Sequence, residues 1–384
     1  MKKDILRKGF ELISLSRSMS DLFEKEKNTT SKYVHATSKG HEIIQIAVGL
    51  QLLNCDFVYP YYRDDSMLLS IGLQPYDLML QLLSKSNDPF SGGKTYYSHP
   101  SLNDSNFPKI PHQSSATGMQ AIPATGAALG LKYKELVGLS DGDEFPPVVI
   151  CSLGDASCTE GEVSEAFQMA VLKKLPIIYV VQDNEWDISA KSEETRAQDI
   201  SHFARGFKGL QTLTIDGTDF QESYDAFGKA LEITRKRVGP VLVHAKVPLL
   251  NHHTSGVRME WYRDDLEEQL LRDPLPKLNQ LLLESGFTNK ELTDISKNSQ
   301  KLVLQHYSRA LNDKDPNVEE LHQNIFAPTT VTKELGKRAP AEKEPTVMVD
   351  SALFAIRELL ELDPKCLLYG QDVGGRLGGV FREA

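Results

Sequence analysis

The sequence predicts an α/β chain built on a parallel sheet flanked by helices. Three observations carry this. Residues 148–153 (VVICSL) and 177–181 (IIYVV) are apolar, β-branched runs of strand length, the composition of strands buried on both faces. Between them Val163, Ala166, Phe167, Ala170 and Val171 recur at helical spacing, so the unit reads strand, helix, strand. A third run, residues 241–245 (VLVHA), continues the alternation further along the chain.

Taken in order, residues 1–60 read as helices leading into Tyr62 and Arg63, and residues 110–250 as the α/β core. Within that core, Thr159-Glu160-Gly161-Glu162 has the form of a capping box, and Pro176 forbids continuation of the helix. A right-handed crossover between the two parallel strands then places both strand ends on one edge of the sheet. Residues 260–325 are charged, Leu-patterned helices that complete a first domain, 1–325. Residues 326–346 are polar and proline-bearing and read as a linker. Beyond it, residues 347–362 have helical periodicity, residues 366–369 (CLLY) are strand-like, and a glycine-rich stretch follows, so a second domain begins at 347.

The chemistry concentrates where the two strands end. Gly154-Asp155-Ala156 follows the first, and Asn184 lies 29 positions beyond Asp155, just after the second. A carboxylate and an amide oxygen so placed suit a small divalent ion such as magnesium, which takes six oxygens and is usually held by one or two carboxylates plus phosphates. Gly154 permits close backbone approach, and the amides of Ala156 and Ser157 lead into a helix start, where anions are favoured.

Residues 153–168 (LGDASCTEGEVSEAFQ) and 181–189 (VQDNEWDIS) together resemble the thiamine diphosphate motif of the 2-oxo acid dehydrogenases, in the alpha subunit of their decarboxylating first component. The resemblance extends from about residue 10 to 280. It implies a thiamine diphosphate-binding fold, with Mg2+ held by Asp155, Asn184 and the backbone carbonyl of Trp186, and with Gly154, Ala156, Ser157 and Ile188 around the cofactor. Tyr62-Arg63-Asp64-Asp65 resembles the element that holds the cofactor diphosphate, and a guanidinium fork suits phosphate. Read without the family, the same Arg63 is a surface residue paired with its neighbouring aspartates. In residues 114–128 (SSATGMQAIPATGAA) the resemblance puts Ser115 near the metal and diphosphate and the backbone of Thr117 at the aminopyrimidine ring, whereas the composition alone also fits a tightly packed helix entry. His252-His253-Thr254-Ser255 resembles the family's His-His-Ser-Thr loop, which implies that His253 contacts the diphosphate and is catalytic, in proton transfer or intermediate stabilisation; histidine suits both, since it titrates near neutral pH.

The chain departs from the family pattern at Ala156, Asp183, Glu185 and Trp186, where the motif usually carries Gly-Asp-Gly or Gly-Glu-Gly and later Asn-Asn-Gly-Tyr. Ala156 is incompatible with a positive backbone φ at low cost, and Asp183 adds a negative charge that must point away from a diphosphate or join the metal shell. The C-terminal residues resemble the opening of the family's beta subunit, with Gln371 in place of a glutamate. The resemblance thus implies an alpha region fused to the start of a beta region. A second half of the active site would come from the beta-type region of the same or another chain, and the chain as given would turn over little.

The implied activity is that of an oxidoreductase. It converts a 2-oxo acid, pyruvate or a branched-chain acid such as 2-oxoisovalerate, to an acyl group on a lipoyl-bearing acyltransferase with loss of CO2, in a homodimer when full length. A transketolase-like enzyme and a non-catalytic scaffold paralogue stand as alternatives. Of 384 residues, 40% are hydrophobic and 25% charged, enough for a large core, and the net charge of −10 argues against a nucleic-acid partner. No segment reads as a membrane span, and the charged start lacks a signal-peptide core. The four cysteines, Cys55, Cys151, Cys158 and Cys366, form no CxxC or zinc spacing and read as free thiols in a cytoplasmic protein.

Overall fold

The computed structural model describes residues 1–111, 116–140, 142, 144–328, 344–374 and 378. They divide into two compact units, residues 1–132 with 141–321 and residues 133–140 with 322–384. In the first unit the strands among the described residues are β1 (Phe57–Tyr59), β2 (Val149–Gly154), β3 (Ile177–Asp183), β4 (Trp186–Asp187), β5 (Ala190–Lys191), β6 (Gln211–Asp216) and β7 (Val241–Lys246). Five of them form a parallel sheet in the order β1-β2-β3-β7-β6, and β4 and β5 make a short antiparallel pair. The expected strands are present, each a residue or two longer at its carboxyl end. β1 and β6 carry weaker patterns and extend the sheet; β1 interrupts the helical reading of residues 1–60.

Side-chain alternation divides the apolar residues between two cores. Val149, Cys151, Leu153, Ile177, Tyr179 and Val181 pack on one face with Phe167 and Ala170 of the crossover helix Gly161–Lys173. Ile150, Ile178, Val180, Val241 and Val243 pack on the other with helices Lys3–Lys25, Glu42–Gly49 and Phe220–Arg235. Helix Glu42–Gly49 is buried along its whole length, as a helix apolar on most sides must be.

The crossover helix begins differently from the expectation. Glu160 is its N-cap and no side chain caps it; Thr159 belongs to a preceding 3-10 turn, Ala156–Thr159, and its hydroxyl donates to the Ala156 carbonyl at 3.1 Å. The helix ends at Lys174, which adopts a left-handed conformation before Pro176 is reached. Register brings the carboxyl ends together: Gly154 lies opposite Gln182, and Asp183 opposite Lys246. Residues following β2, β3 and β7 therefore share one edge of the sheet, the usual place for ligands in open α/β sheets.

In the second unit, helix Met348–Leu362 matches the expected one, but residues 366–369 form no strand. They have no neighbouring strand among the described residues, and the Tyr133 hydroxyl donates to the carbonyls of Pro364 and Cys366 at 3.0 and 3.1 Å. Most of the expected linker, residues 329–343, lies outside the described residues, as does Ser115.

Candidate metal and cofactor site

A cavity of about 350 Å³ opens at the carboxyl edge of the sheet in the first unit. Of the residues singled out from sequence, Tyr62, Thr117, Gly154, Asp155, Ala156, Ser157, Asn184, Trp186, Ile188 and His253 all line it. Arg63 does not; it lies behind the wall. Val34, Ala36, Tyr61, Tyr96 and Tyr97 add an apolar and aromatic side that no motif announced.

Asp155 leaves the end of β2 in a helical conformation and is 3% exposed. Ala156 continues into the 3-10 turn, so no positive φ is required of it. The amides at this point open that single turn, while the α-helix proper starts five residues later, at Gly161. A Cβ on Gly154 would meet the Tyr61 ring at 3.5 Å, an ordinary contact, so the protein's own packing does not demand glycine there. The Asp155 carboxylate lies 3.1 Å from a guanidinium nitrogen of Arg196, whose same nitrogen is 3.2 Å from Asp183. Asp183 also faces His244 Nε2 at 2.8 Å. Burial, then the charge of Asp183, raises the Asp155 carboxyl well above the usual range. Burial would raise Asp183 too, but the hydrogen bond from His244 and the charge of Arg196 hold it below that range. The extra carboxylate is thus directed to His244 and Arg196, and Asp183 does not line the cavity.

Asn184 is oriented by a buried chain. Its Oδ1 accepts from the Trp186 backbone N–H at 3.0 Å, and its amide nitrogen donates to His41 Nε2 at 3.1 Å. His41 Nδ1 then donates to Gln182 Oε1 at 3.0 Å, which defines the tautomer. Burial, then Arg63, depresses His41 to about 3, so it remains neutral. The Trp186 ring is anchored by its N–H to Asp265 at 2.9 Å and by the Arg263 guanidinium 5.0 Å from its centroid. Glu185 and Ile188 adopt φ of +67° and +50°, costly conformations for residues with a Cβ and most so for a β-branched one.

His253 accepts at Nδ1 from the Ile188 N–H at 3.2 Å, so Nε2 carries the proton and donates to the Tyr62 hydroxyl at 3.0 Å. The Tyr62 O–H is then left to donate elsewhere. Burial, with Arg63 and Arg263 adding to it, pushes His253 down to about 3. The expectation of a histidine titrating near neutrality is therefore corrected: in this environment it is a neutral hydrogen-bonding group. Arg63 is 0% exposed, which rules out the surface ion pair, and its nitrogens donate to the Tyr61 hydroxyl and to the carbonyls of Thr37 and His253 at 3.0–3.3 Å. These acceptors are all neutral.

The arrangement fits a divalent ion and a phosphorylated cofactor on three counts. Asp155, the Asn184 amide and the Trp186 carbonyl are hard oxygen donors. A buried guanidinium bonded only to neutral oxygens beside the cavity favours an anion within it. The cavity volume is also that of a small-molecule site. A second group, Asp183, Asp199 and His244, brings ligand atoms within 4.8 Å of one another. Arg196 and Lys246 already face its carboxylates, and none of the three lines the cavity, so it acts as support.

Sequence reasoning missed Arg196, His41, His244 and the Tyr96–Tyr97 wall. Arg196 follows Glu193 and Glu194 and reads as surface charge; the histidines are single residues in apolar or polar context without a motif.

A family profile described as Dehydrogenase E1 component matches residues 12–319. The chain is 30% identical over 324 residues to the pyruvate dehydrogenase E1 component subunit alpha of Porphyra purpurea, spanning 83% of this chain and 92% of that protein. It is 30% identical over 258 residues to the 2-oxoisovalerate dehydrogenase subunit alpha of Bacillus subtilis, spanning 66% and 74%. It is 25% identical over 334 residues to the 3-methyl-2-oxobutanoate dehydrogenase subunit alpha of Mycobacterium tuberculosis, spanning 86% and 85%.

Proposed function

The chain belongs to the Dehydrogenase E1 component family, and from that premise we propose how its cavity serves a decarboxylating component of a 2-oxo acid dehydrogenase. This is an oxidoreductase of the thiamine diphosphate-dependent kind. In our reading Asp155, Asn184 Oδ1 and the Trp186 carbonyl hold Mg2+, while Tyr62 donates to the diphosphate, His253 orients Tyr62, and the buried Arg63 supplies positive charge from behind the wall. Thr117, Gly154, Ala156, Ser157 and Ile188 shape the remaining cofactor contacts. When bound, the cofactor supplies the electron sink for decarboxylation of a 2-oxo acid.

The observation that carries the reading is the convergence of Asp155 and Asn184 on one cavity, with the buried Arg63 behind it. The protein's own contribution is positional and electrostatic. Tyr62 has a free O–H to donate because His253 donates to it, and the buried Tyr61 and Tyr97 give the cavity, with Tyr62, an aromatic side. The substrate is a 2-oxo acid of the pyruvate or branched-chain class, as the names of the relatives suggest, and in our reading the acyl acceptor is a lipoyl-bearing acyltransferase. Residues 347–384 read as part of a beta-type region; exposed Phe354, Leu359 and Leu362 on helix Met348–Leu362 support a helix that packs within a larger domain. A beta-type region of the same or another chain and a homodimer would complete the assembly. Among the described residues no helix is long and apolar enough to cross a membrane, and the free state of all four cysteines suits a reducing, cytoplasmic setting.

Isothermal titration of the protein with thiamine diphosphate and Mg2+ tests the reading. Saturable, Mg2+-dependent binding is expected; no binding at millimolar cofactor by the folded protein would leave a scaffold role in its place. Acyl transfer from pyruvate, 2-oxobutanoate and 2-oxoisovalerate, assayed with a beta-type region present, then ranks the substrates.

A further inference from the structure

Asp155 is tied to one cation of the chain itself. Arg196 is only 5% exposed in its side chain, and one of its terminal nitrogens bridges Asp155 at 3.1 Å and Asp183 at 3.2 Å. Its other terminal nitrogen is buried without a hydrogen-bond partner. A single positive charge is therefore shared between two buried carboxyl groups, and the N–H donors of that other nitrogen are unused. Asp183 has a second partner in His244 at 2.8 Å. Arg196 reaches the site from the short helix Ser192–Thr195, within the same segment that supplies Trp186, Asp187 and Ile188 to the cavity wall.

We infer that Arg196 competes with a divalent cation for the Asp155 carboxylate oxygen it contacts, so that it sets the affinity of the ion site. The inference rests on the proposed role of Asp155 as an ion ligand. Its physical basis is direct. A carboxylate oxygen in contact with a guanidinium has part of its charge already compensated, and a divalent ion placed there meets a neighbouring positive charge in a poorly solvated site. The same guanidinium also keeps Asp155 and Asp183 from repelling each other, so the competition comes with a stabilising role in the protein alone. The pairing of Asp183 with His244 gives Arg196 a carboxylate to remain on when Asp155 is taken by an ion.

A structural residue and a competitor differ in sign. Loss of a merely structural arginine loosens the site and weakens ion binding; loss of a competitor tightens it. The test is Mn2+ binding to the full chain at a fixed concentration of thiamine diphosphate, counted from the free-ion electron paramagnetic resonance signal against a cofactor-only blank. Arg196→Gln is expected to bind Mn2+ more tightly by about tenfold or more, the scale on which a neighbouring charge shifts such an equilibrium. Arg196→Lys, which keeps the charge, is expected to stay within about threefold of the parent. Equal or weaker binding by Arg196→Gln, with the parent binding normally, overturns the inference and leaves the ion site standing. Absence of Mn2+ binding in both the parent and Arg196→Gln overturns the ion site and the inference together. Should Arg196→Gln fail to fold by near-ultraviolet circular dichroism, Arg196→Met, of similar length and apolar, carries the same expectation and the same contradiction.

Discussion

At the scale of single residues, buried partners fix which protons the cavity side chains present. His253 is held neutral, its Nδ1 occupied by the Ile188 N–H, and its one proton directed at Tyr62. That leaves the Tyr62 hydroxyl proton for the cavity. Tyr62→Phe removes it without altering the fold, and the expected outcome is weaker binding of thiamine diphosphate by about tenfold to a hundredfold, the worth of a hydrogen bond to a charged group. Calorimetric titration checks this, and unchanged affinity would take Tyr62 out of the site. Little of this layer is legible in sequence. Asp155 and Asn184 stand at the ends of strands whose composition marks them. The partners that orient these residues are distant: His41 lies 143 positions from Asn184, and Tyr62 lies 191 from His253. No local pattern reports such pairs.

At the scale of elements, the unit of β2, the helix Gly161–Lys173 and β3 is legible because burial on both faces demands an apolar run and a helix in between leaves its own period. Its boundaries are less so. The capping box at Thr159 fails because the chain first makes a 3-10 turn around Asp155, and tertiary demands at the cavity override the local preference. The turn after β3 shows the same precedence. Glu185, which stands where the family motif carries glycine, is forced to φ +67°. Its side chain is exposed, and the contact with Arg272 is 3.5 Å long, a surface pair of small worth. Glu185→Gly is therefore expected to stabilise the protein by about 0.5–1 kcal/mol, as relief of a left-handed conformation outweighs the lost pair. A urea midpoint that falls instead would show that the side chain matters more than the backbone strain.

At a larger scale, the sheet of the first unit separates two cores, and buried Asp65 bonds to Tyr97 of the cavity lining. Asp65 is fully buried, accepts from the Ser38 N–H and the Tyr97 hydroxyl at 3.0 and 3.1 Å, and is pushed up by burial to about 7. A carboxyl raised in the folded state holds its proton there while the unfolded chain has lost it, so its contribution to stability declines as pH rises from about 4 to about 7 and is level above. Asp65→Asn lacks this decline. The stability of the variant relative to the parent is expected to grow between pH 5 and pH 7 by about 1.4 kcal/mol per unit at most, read from urea unfolding at each pH; a difference independent of pH contradicts a raised Asp65. The sheet architecture was thus accessible from composition and spacing and the family from the resemblance of its motifs, whereas the pairing of Asp65 with Tyr97 and of Asp183 with Arg196 and His244 emerges only when separate segments meet. The central claim is that Asp155 anchors a divalent ion which in turn holds the cofactor. Its most direct test is isothermal titration of thiamine diphosphate into the parent and Asp155→Ala, each with and without Mg2+. Mg2+ should strengthen binding to the parent and have no effect on Asp155→Ala; an equal Mg2+ effect in both would contradict the account.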